Sequence, residues 1–333
     1  MHGKRLTNVA MRAGIDSAGG WSASLNATEL AGEVSYRPVG SGQLVARLKH
    51  LRIPDDSPDA AQATSGTKEL PAIDLVAETF THKDKRIGRV EIAAQHDGPN
   101  WRIERLVVVN PEASFSGTGQ WRAGTTSRMA LNLKLEANDV GKFLERIGFP
   151  DRIQGGSATL EGSIAWDGSP LSPDYPSLSG ELKLLAQSGE FPRLGPGLGR
   201  VLSLLALSFT DAAAKGFAFE QISSSFQLQK GVMSTRDLKI RGSSAEIDMR
   251  GDINIEKETQ NLHVKVIPSM RRGVTALVTM VNPIFGVGAA VAQSLLKDPV
   301  GQILAYEYSV TGPWGDPKVE QLNAQSRAPS GAP

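Results

Sequence analysis

The feature that most constrains this chain is a side-chain alternation of period two, repeated along its length between short breaks of turn-forming residues. It is cleanest at residues 245–256, where Ile247, Met249, Ile253 and Ile255 alternate with Glu246, Asp248, Arg250, Asp252 and Asn254. Successive side chains of a strand point to opposite faces, so this pattern sorts apolar groups onto one face and polar groups onto the other. The signature recurs at 43–49, with Leu44, Ala46 and Leu48 opposed to Gln43, Arg47 and Lys49. Further strands are expected at 20–37, 72–79, 87–96, 101–109, 113–121, 129–137, 156–168, 177–191, 217–231, 232–242, 259–268 and 303–311. The separators HDGPN, NPE and RAGTTS supply the Asn, Asp, Gly and Pro chemistry of tight turns. Each run is followed at once by a run able to pair with it, which predicts a long, curved antiparallel β-meander with a few short helices. In 156–168, Ala158, Leu160, Gly162, Ile164 and Trp166 share a face. In the next run Leu178, Gly180, Leu182, Leu184 and Ala186 do, and the small residues leave room on those faces.

The period changes in three places. Asn138-Asp139 reads as the start of a helix over 139–147, with Val140, Phe143, Leu144 and Ile147 as its apolar stripe and Gly148 and Pro150 as its stop. Over 196–207, Leu198, Val201, Leu202 and Leu205 fall at helical spacing. Residues 273–296 carry no charge and are long enough to cross a bilayer. Proline at Asn282-Pro283 breaks a continuous helix there, and one crossing would part the closing strand from its sheet. The reading is therefore a helical hairpin cap over 269–298, with Val274, Leu277, Val278, Val281, Ile284, Phe285, Val291 and Leu295 as membrane-contact or cap residues. Residues 1–19 are expected to be flexible or the start of a fragment. Residues 20–137 form a meander interrupted by a mobile loop at 54–71, residues 138–268 form a groove, 299–322 close it, and 323–333 form a disordered tail.

The sequence offers no chemistry. Cysteine is absent, which excludes disulfides, thiolate metal sites and cysteine nucleophiles. A net charge of +1 with scattered Lys and Arg lacks the concentrated basic face that nucleic acid requires. There is no HExxH, no GxSxG elbow and no Walker A loop. The five histidines stand apart from one another. Gly195, Gly197 and Gly199 miss the dinucleotide fingerprint, and Asp252, Asn254 and Glu256 share the solvated face of one strand. No catalytic residue, metal or cofactor is nominated. A long β-chain without convergent polar groups points to binding or structure rather than to an enzyme.

Several segments in shared order carry a resemblance. They are Pro196-Gly197-Leu198-Gly199-Arg200 with Leu202, Leu204 and Leu205; Gly216-Phe217-Ala218-Phe219 with Ile222; Thr235, Leu238, Gly242 and Ala245; and the ending from Tyr308 through Val310, Gly312 and Trp314 to Pro317. Together they resemble the C-terminal region of the AsmA-like superfamily, most closely its YhdP-type envelope proteins of Gram-negative bacteria. The chain departs from that pattern between Leu207 and Gly216, and it begins without the family's membrane anchor, as the C-terminal piece of a larger protein would. The resemblance implies the periplasmic part of an inner-membrane-anchored protein whose apolar β-groove conducts phospholipid toward the outer membrane, without reaction. The implied partners are phospholipid, the outer membrane's inner leaflet or one of its proteins, and the protein's own N-terminal part. The groove-lining residues assigned by alternation are Leu160, Ile164, Trp166, Leu182, Leu184, Phe226, Leu228, Ile247, Met249, Ile253, Leu262, Val264 and Val266. An alternative is an assembly protein that docks biogenesis partners through its sheet edges.

Overall fold

A computed structural model describes residues 6–53, 70–98, 100–122, 124, 127–170, 172–192, 216–268 and 305–322. The expected helix at 196–207, the hairpin cap at 269–298 with its eight contact residues, and most of the loop at 54–71 lie outside the described residues.

The protein is mainly β. Its first strands are β1 (Ala10–Ile15), β2 (Trp21–Asn26), β3 (Leu30–Arg37), β4 (Gln43–Ile53), β5 (Ala72–His82) and β6 (Lys85–Asp97). β7 (Asn100–Val109), β8 (Ala113–Arg122) and β9 (Arg128–Ala137) lead into one helix, α1 (Val140–Ile147). Then come β10 (Gln154–Asp167), β11 (Ser179–Phe191), β12 (Phe217–Gln229), β13 (Val232–Gly242) and β14 (Ala245–Asn254). β15 (Thr259–Pro268), β16 (Tyr306–Pro313) and β17 (Lys318–Gln321) complete the sheet.

Every strand pairs with its neighbours in sequence, so the 17 strands lie in chain order in one open sheet. At about 4.8 Å per strand the ladder is about 77 Å long. One line of paired residues shows how faithfully the alternation is kept. Ala113 opposes Ala137, then Ala158, Ala186, Ile222, Ile240, Ile247, Val266 and Tyr306 follow in register across β8–β16. All of these side chains stand on one face, which we call the inner face. The outer face carries the charges, in cross-strand pairs such as Arg47–Asp74, Lys239–Asp248 and His263–Glu307.

The structure departs from a simple meander in three ways. First, β4 and β5 are parallel, with Gln43 beside Ala72 and Ile53 beside His82. A tight hairpin cannot join parallel strands, because the chain must return across the sheet, about 36 Å for an eleven-residue strand at about 3.3 Å per residue. The long insert at 54–71 has that reach. Second, β1 lies within the stretch expected to be flexible. All six of its residues are exposed, so it carries no burial pattern for the sequence to reveal. Third, strict alternation is interrupted by bulges. Ile103 opposes Gly119 while Leu106 opposes Gly117, so β7 accommodates Glu104-Arg105 as an extra step and keeps both apolar residues inward. β13 does the same at Arg236-Asp237, between Thr235 and Leu238.

Glycines in mid-strand serve the backbone rather than the space above the sheet. Gly162 has φ +152°, and a Cβ there would lie 2.0 Å from the Glu181 carbonyl oxygen. Gly180 meets Ser163 in the same way, also at 2.0 Å. Only glycine tolerates this conformation, so β10 and β11 approach closely there.

Candidate functional site

The sheet has two edges where strand ends meet the turns. At the helix edge, α1 lies against β10 and β6. Asp139 opens it by accepting a bond from the Lys142 N–H at 3.0 Å, and Gly148 closes it at φ +103°. That backbone bond, foremost, holds the Asp139 carboxyl below its usual range. The apolar stripe of α1 faces the sheet, with buried Val140 and half-buried Phe143 and Leu144 packed among Ala113, Ala137, Leu135 and Ala158. The alanines are small where the helix must sit close. Gly141 is required for the same reason, since a Cβ there would be 2.6 Å from the Ile153 carbonyl oxygen. A two-pronged ion pair fastens the helix: Arg146 donates to both Glu112 oxygens at 2.6 and 2.7 Å, and to the Arg86 carbonyl at 3.2 Å. The guanidinium holds the Glu112 carboxyl below the ordinary carboxylate range.

At the opposite edge the inner face is built from tryptophan. Trp101 is paired with Trp121, Trp121 with Met129, and Met129 with Trp166. The three indoles are buried, and each N–H donates to a carbonyl of the adjoining chain: Trp101 to Pro71 at 2.9 Å, Trp121 to Gly168 at 3.0 Å and Trp166 to Ser169 at 2.9 Å.

Between these two walls runs a floor of half-buried side chains: Phe115, Leu133, Leu135, Leu160, Leu182 and Leu184. Along β10 the inner-facing positions from helix edge to tryptophan edge are Ala158, Leu160, Gly162, Ile164 and Trp166, with no polar side chain among them. The result over β7–β11 is an apolar gutter with two walls and an accessible floor.

All thirteen residues assigned to a groove by alternation stand on the inner face, but not in one environment. Leu160, Ile164, Leu182, Leu184, Ile253 and Leu262 are half-buried. Trp166, Phe226, Leu228, Ile247, Met249, Val264 and Val266 are buried, Val264 and Val266 completely so. Trp166, Phe226 and Leu228 belong to the cluster that forms the tryptophan wall and much of the floor, whereas Ile247, Met249, Val264 and Val266 pack with Phe217, Phe219 and Tyr308 in a second cluster.

Sequence reasoning missed α1 as a wall, the tryptophan edge, and a polar group set into the inner face. Ser224 and Thr235 are buried and share a 2.8 Å hydrogen bond, and Thr235 donates to Asp237 at 3.2 Å. The Asp237 carboxylate also accepts from the Ser225 N–H at 2.8 Å, which chiefly lowers its pKa. The group is satisfied internally and pins the β13 bulge. Only the broken alternation at Thr235-Arg236-Asp237 marks it in the sequence.

Nothing described assembles for catalysis. His50 Nε2 lies 3.2 Å from the Ala27 carbonyl oxygen, His96 bonds the Leu70 carbonyl, and His263 meets Glu307 on the outer face at 3.1 Å. Among the described residues no three His, Asp or Glu side chains are placed to hold a metal. Among them, too, no helix is long and apolar enough to cross a membrane.

Comparison with known proteins places the chain. It is 25% identical over 255 residues to the intermembrane phospholipid transporter YhdP of Escherichia coli (strain K12), an alignment covering 73% of this chain and 20% of that protein. The match therefore spans about a fifth of its relative's length. No solved structure matches. The family model described as YhdP protein matches residues 1–319, and with a match of that extent the chain belongs to the YhdP family.

Proposed function

We propose that this chain is one section of a lipid conduit, carrying phospholipid along its inner face between the two membranes of a cell envelope. The observation that supports it most is the gutter: an uncharged, half-buried leucine floor between two walls, on a sheet whose terminal strands β1 and β17 do not pair with each other. Exposed apolar surface on this scale has no role in a self-sufficient core. Each methylene of an acyl chain costs about 0.8 kcal/mol to bring from hydrocarbon into water. A lipid sliding along leucines avoids that cost at every step, and the protein needs no bond-making group. The name of the Escherichia coli relative supports phospholipid as the cargo. On this reading the chain works in the periplasm as the C-terminal section of an anchored protein, next to the outer membrane or one of its proteins, and is not an enzyme.

The test is detergent-free purification followed by lipid extraction and mass spectrometry. Phospholipid at a reproducible stoichiometry is expected, reduced when Leu160 and Leu182 are changed to Asp. Lipid-free protein that also takes up none from vesicles would sink the proposal. A second reading, docking of an assembly partner by strand addition, is favoured by one feature: the exposed edge strand β1, with Met11 63% and Ile15 83% accessible. Proline substitution at Ala13 would abolish a partner's binding on that reading and leave lipid content unchanged on the first.

A further inference from the structure

All five tryptophans of the sequence lie at one edge of the sheet. Trp101, Trp121 and Trp166 form the wall of the gutter. Trp21 begins β2 at the same edge, stacked on Tyr36, and Trp314 sits in the turn between β16 and β17, where its backbone N–H donates to the Glu258 carbonyl at 2.9 Å. The opposite edge has no tryptophan.

The geometry points to a fixed orientation for the lipid: acyl chains against the tryptophan wall, and phosphate headgroups along the α1 edge. This rests on the conduit reading above and adds to it a direction across the gutter. A phosphate needs donors or cations. The tryptophan wall has none to give, because all three indole N–H groups are engaged by the protein's own carbonyls. The arginines beside them alternate onto the outer face, where Arg102 pairs with Asp97 at 3.1 Å and Arg128 with Asp167 at 2.8 Å. The α1 wall is different. Its stripe is apolar toward the floor, while its solvent flank carries Lys142, whose ammonium pairs with Asp139 at 3.1 Å and whose side chain is 71% accessible. Lys85 reaches the C-terminal end of α1, with its Cε 3.4 Å from where a Gly148 Cβ would stand, and it has no ion pair among the described residues. A lipid lying across the floor thus meets indoles with no inward-facing cation on one side, and Lys85 with the Asp139-paired Lys142 on the other.

Because every tryptophan is at one edge, the native protein's own fluorescence reports on that edge alone. The experiment loads the detergent-free protein with either of two phosphatidylcholines, one bearing a nitroxide near the end of an acyl chain and one bearing it on the headgroup. Bound lipid is counted by phosphorus assay. The tail label is expected to remove most of the tryptophan emission and the head label little, at equal occupancy. Lys85→Glu with Lys142→Glu should lower occupancy by the phosphate lipid while leaving the tail-label quenching per bound lipid unchanged. Equal quenching by the two labels, stronger quenching by the head label, or no quenching by bound lipid would each overturn the orientation while leaving the conduit intact. Absence of bound phosphorus with either lipid would overturn the conduit and the orientation together.

Discussion

Two lengths of the same inner face behave differently. Across β7–β11 the mid-strand row reads Leu106, Gly117, Leu133, Gly162, Leu182, with a glycine on every second strand, and its leucines stay half-buried. Across β12–β15 that row runs on as Phe226, Thr235, Gly251 and Leu262, again with a glycine. The row beside it differs: Ala113, Ala137, Ala158 and Ala186 in the first length give way to Ile222, Ile240, Ile247 and Val266 in the second, with exposures between 0% and 7%. Both obey the same alternation. In the first, the alanine row leaves space beside the leucines, and Leu133, Leu182 and Leu184 pack on the tryptophan cluster yet stay half-buried. In the second, large side chains stand shoulder to shoulder, with Phe217, Phe219 and Tyr308 among them, and the face closes on itself as a dry core. Alternation sets which face is apolar. The size of the side chains in the neighbouring row sets whether that face remains accessible.

Substitutions can break this contrast. Ile247→Ala, in the closed length, is expected to cost about 3–4 kcal/mol in denaturant unfolding while barely changing lipid content, since it opens a cavity in a packed core. Gly162→Ala should cost about 2–3 kcal/mol, because the added Cβ meets a carbonyl oxygen and the backbone is left-handed. It should also push β10 and β11 apart locally and reduce lipid occupancy. Arg146→Ala removes the fastening of α1 at about 1–2 kcal/mol, read as faster hydrogen exchange in residues 140–147 with β14 and β15 unaffected. Leu160→Ala should cost only about 1 kcal/mol, because the side chain is half-buried, yet lower lipid content more than Ile247→Ala does. The smallest effect is that of acid. Glu112 has its pKa lowered in the folded protein, so its contribution is complete above the free carboxylate value and is lost as pH falls through the lowered one. Exchange protection of α1 should therefore fall in acid before that of β14, and Glu112→Gln should remove the difference.

The sequence made the facing of strands legible because alternation is a local property. Ile247, Val264 and Leu182 point where their parity says they should. It did not distinguish Leu182 from Val264, since both read as inward apolar residues; what separates them is their cross-strand neighbours, Gly162 and Phe226 beside Leu182 against Met249 and Tyr308 beside Val264. Gly162 and Gly180 looked like room above the sheet and are instead points of contact within it. The bulges at Glu104-Arg105 and Arg236-Asp237 were invisible for a related reason, two polar residues in a row being equally consistent with a strand end. The tryptophan edge depends on where each strand starts and stops relative to its neighbours, a matter of register that no single strand records.

The parallel pairing of β4 with β5 has a consequence in time. Every other neighbouring pair is antiparallel, so the sheet can grow like a zip, each strand laid down beside the last by a short local closure wherever the turn is tight. At β4 and β5 that motion has to stop. The strand to be added starts at the far edge, and the chain must close a longer loop before the first bond forms, which adds entropic delay. The protein is expected to assemble as two separately growing sheets, β1–β4 and β5–β17, that join last along one seam.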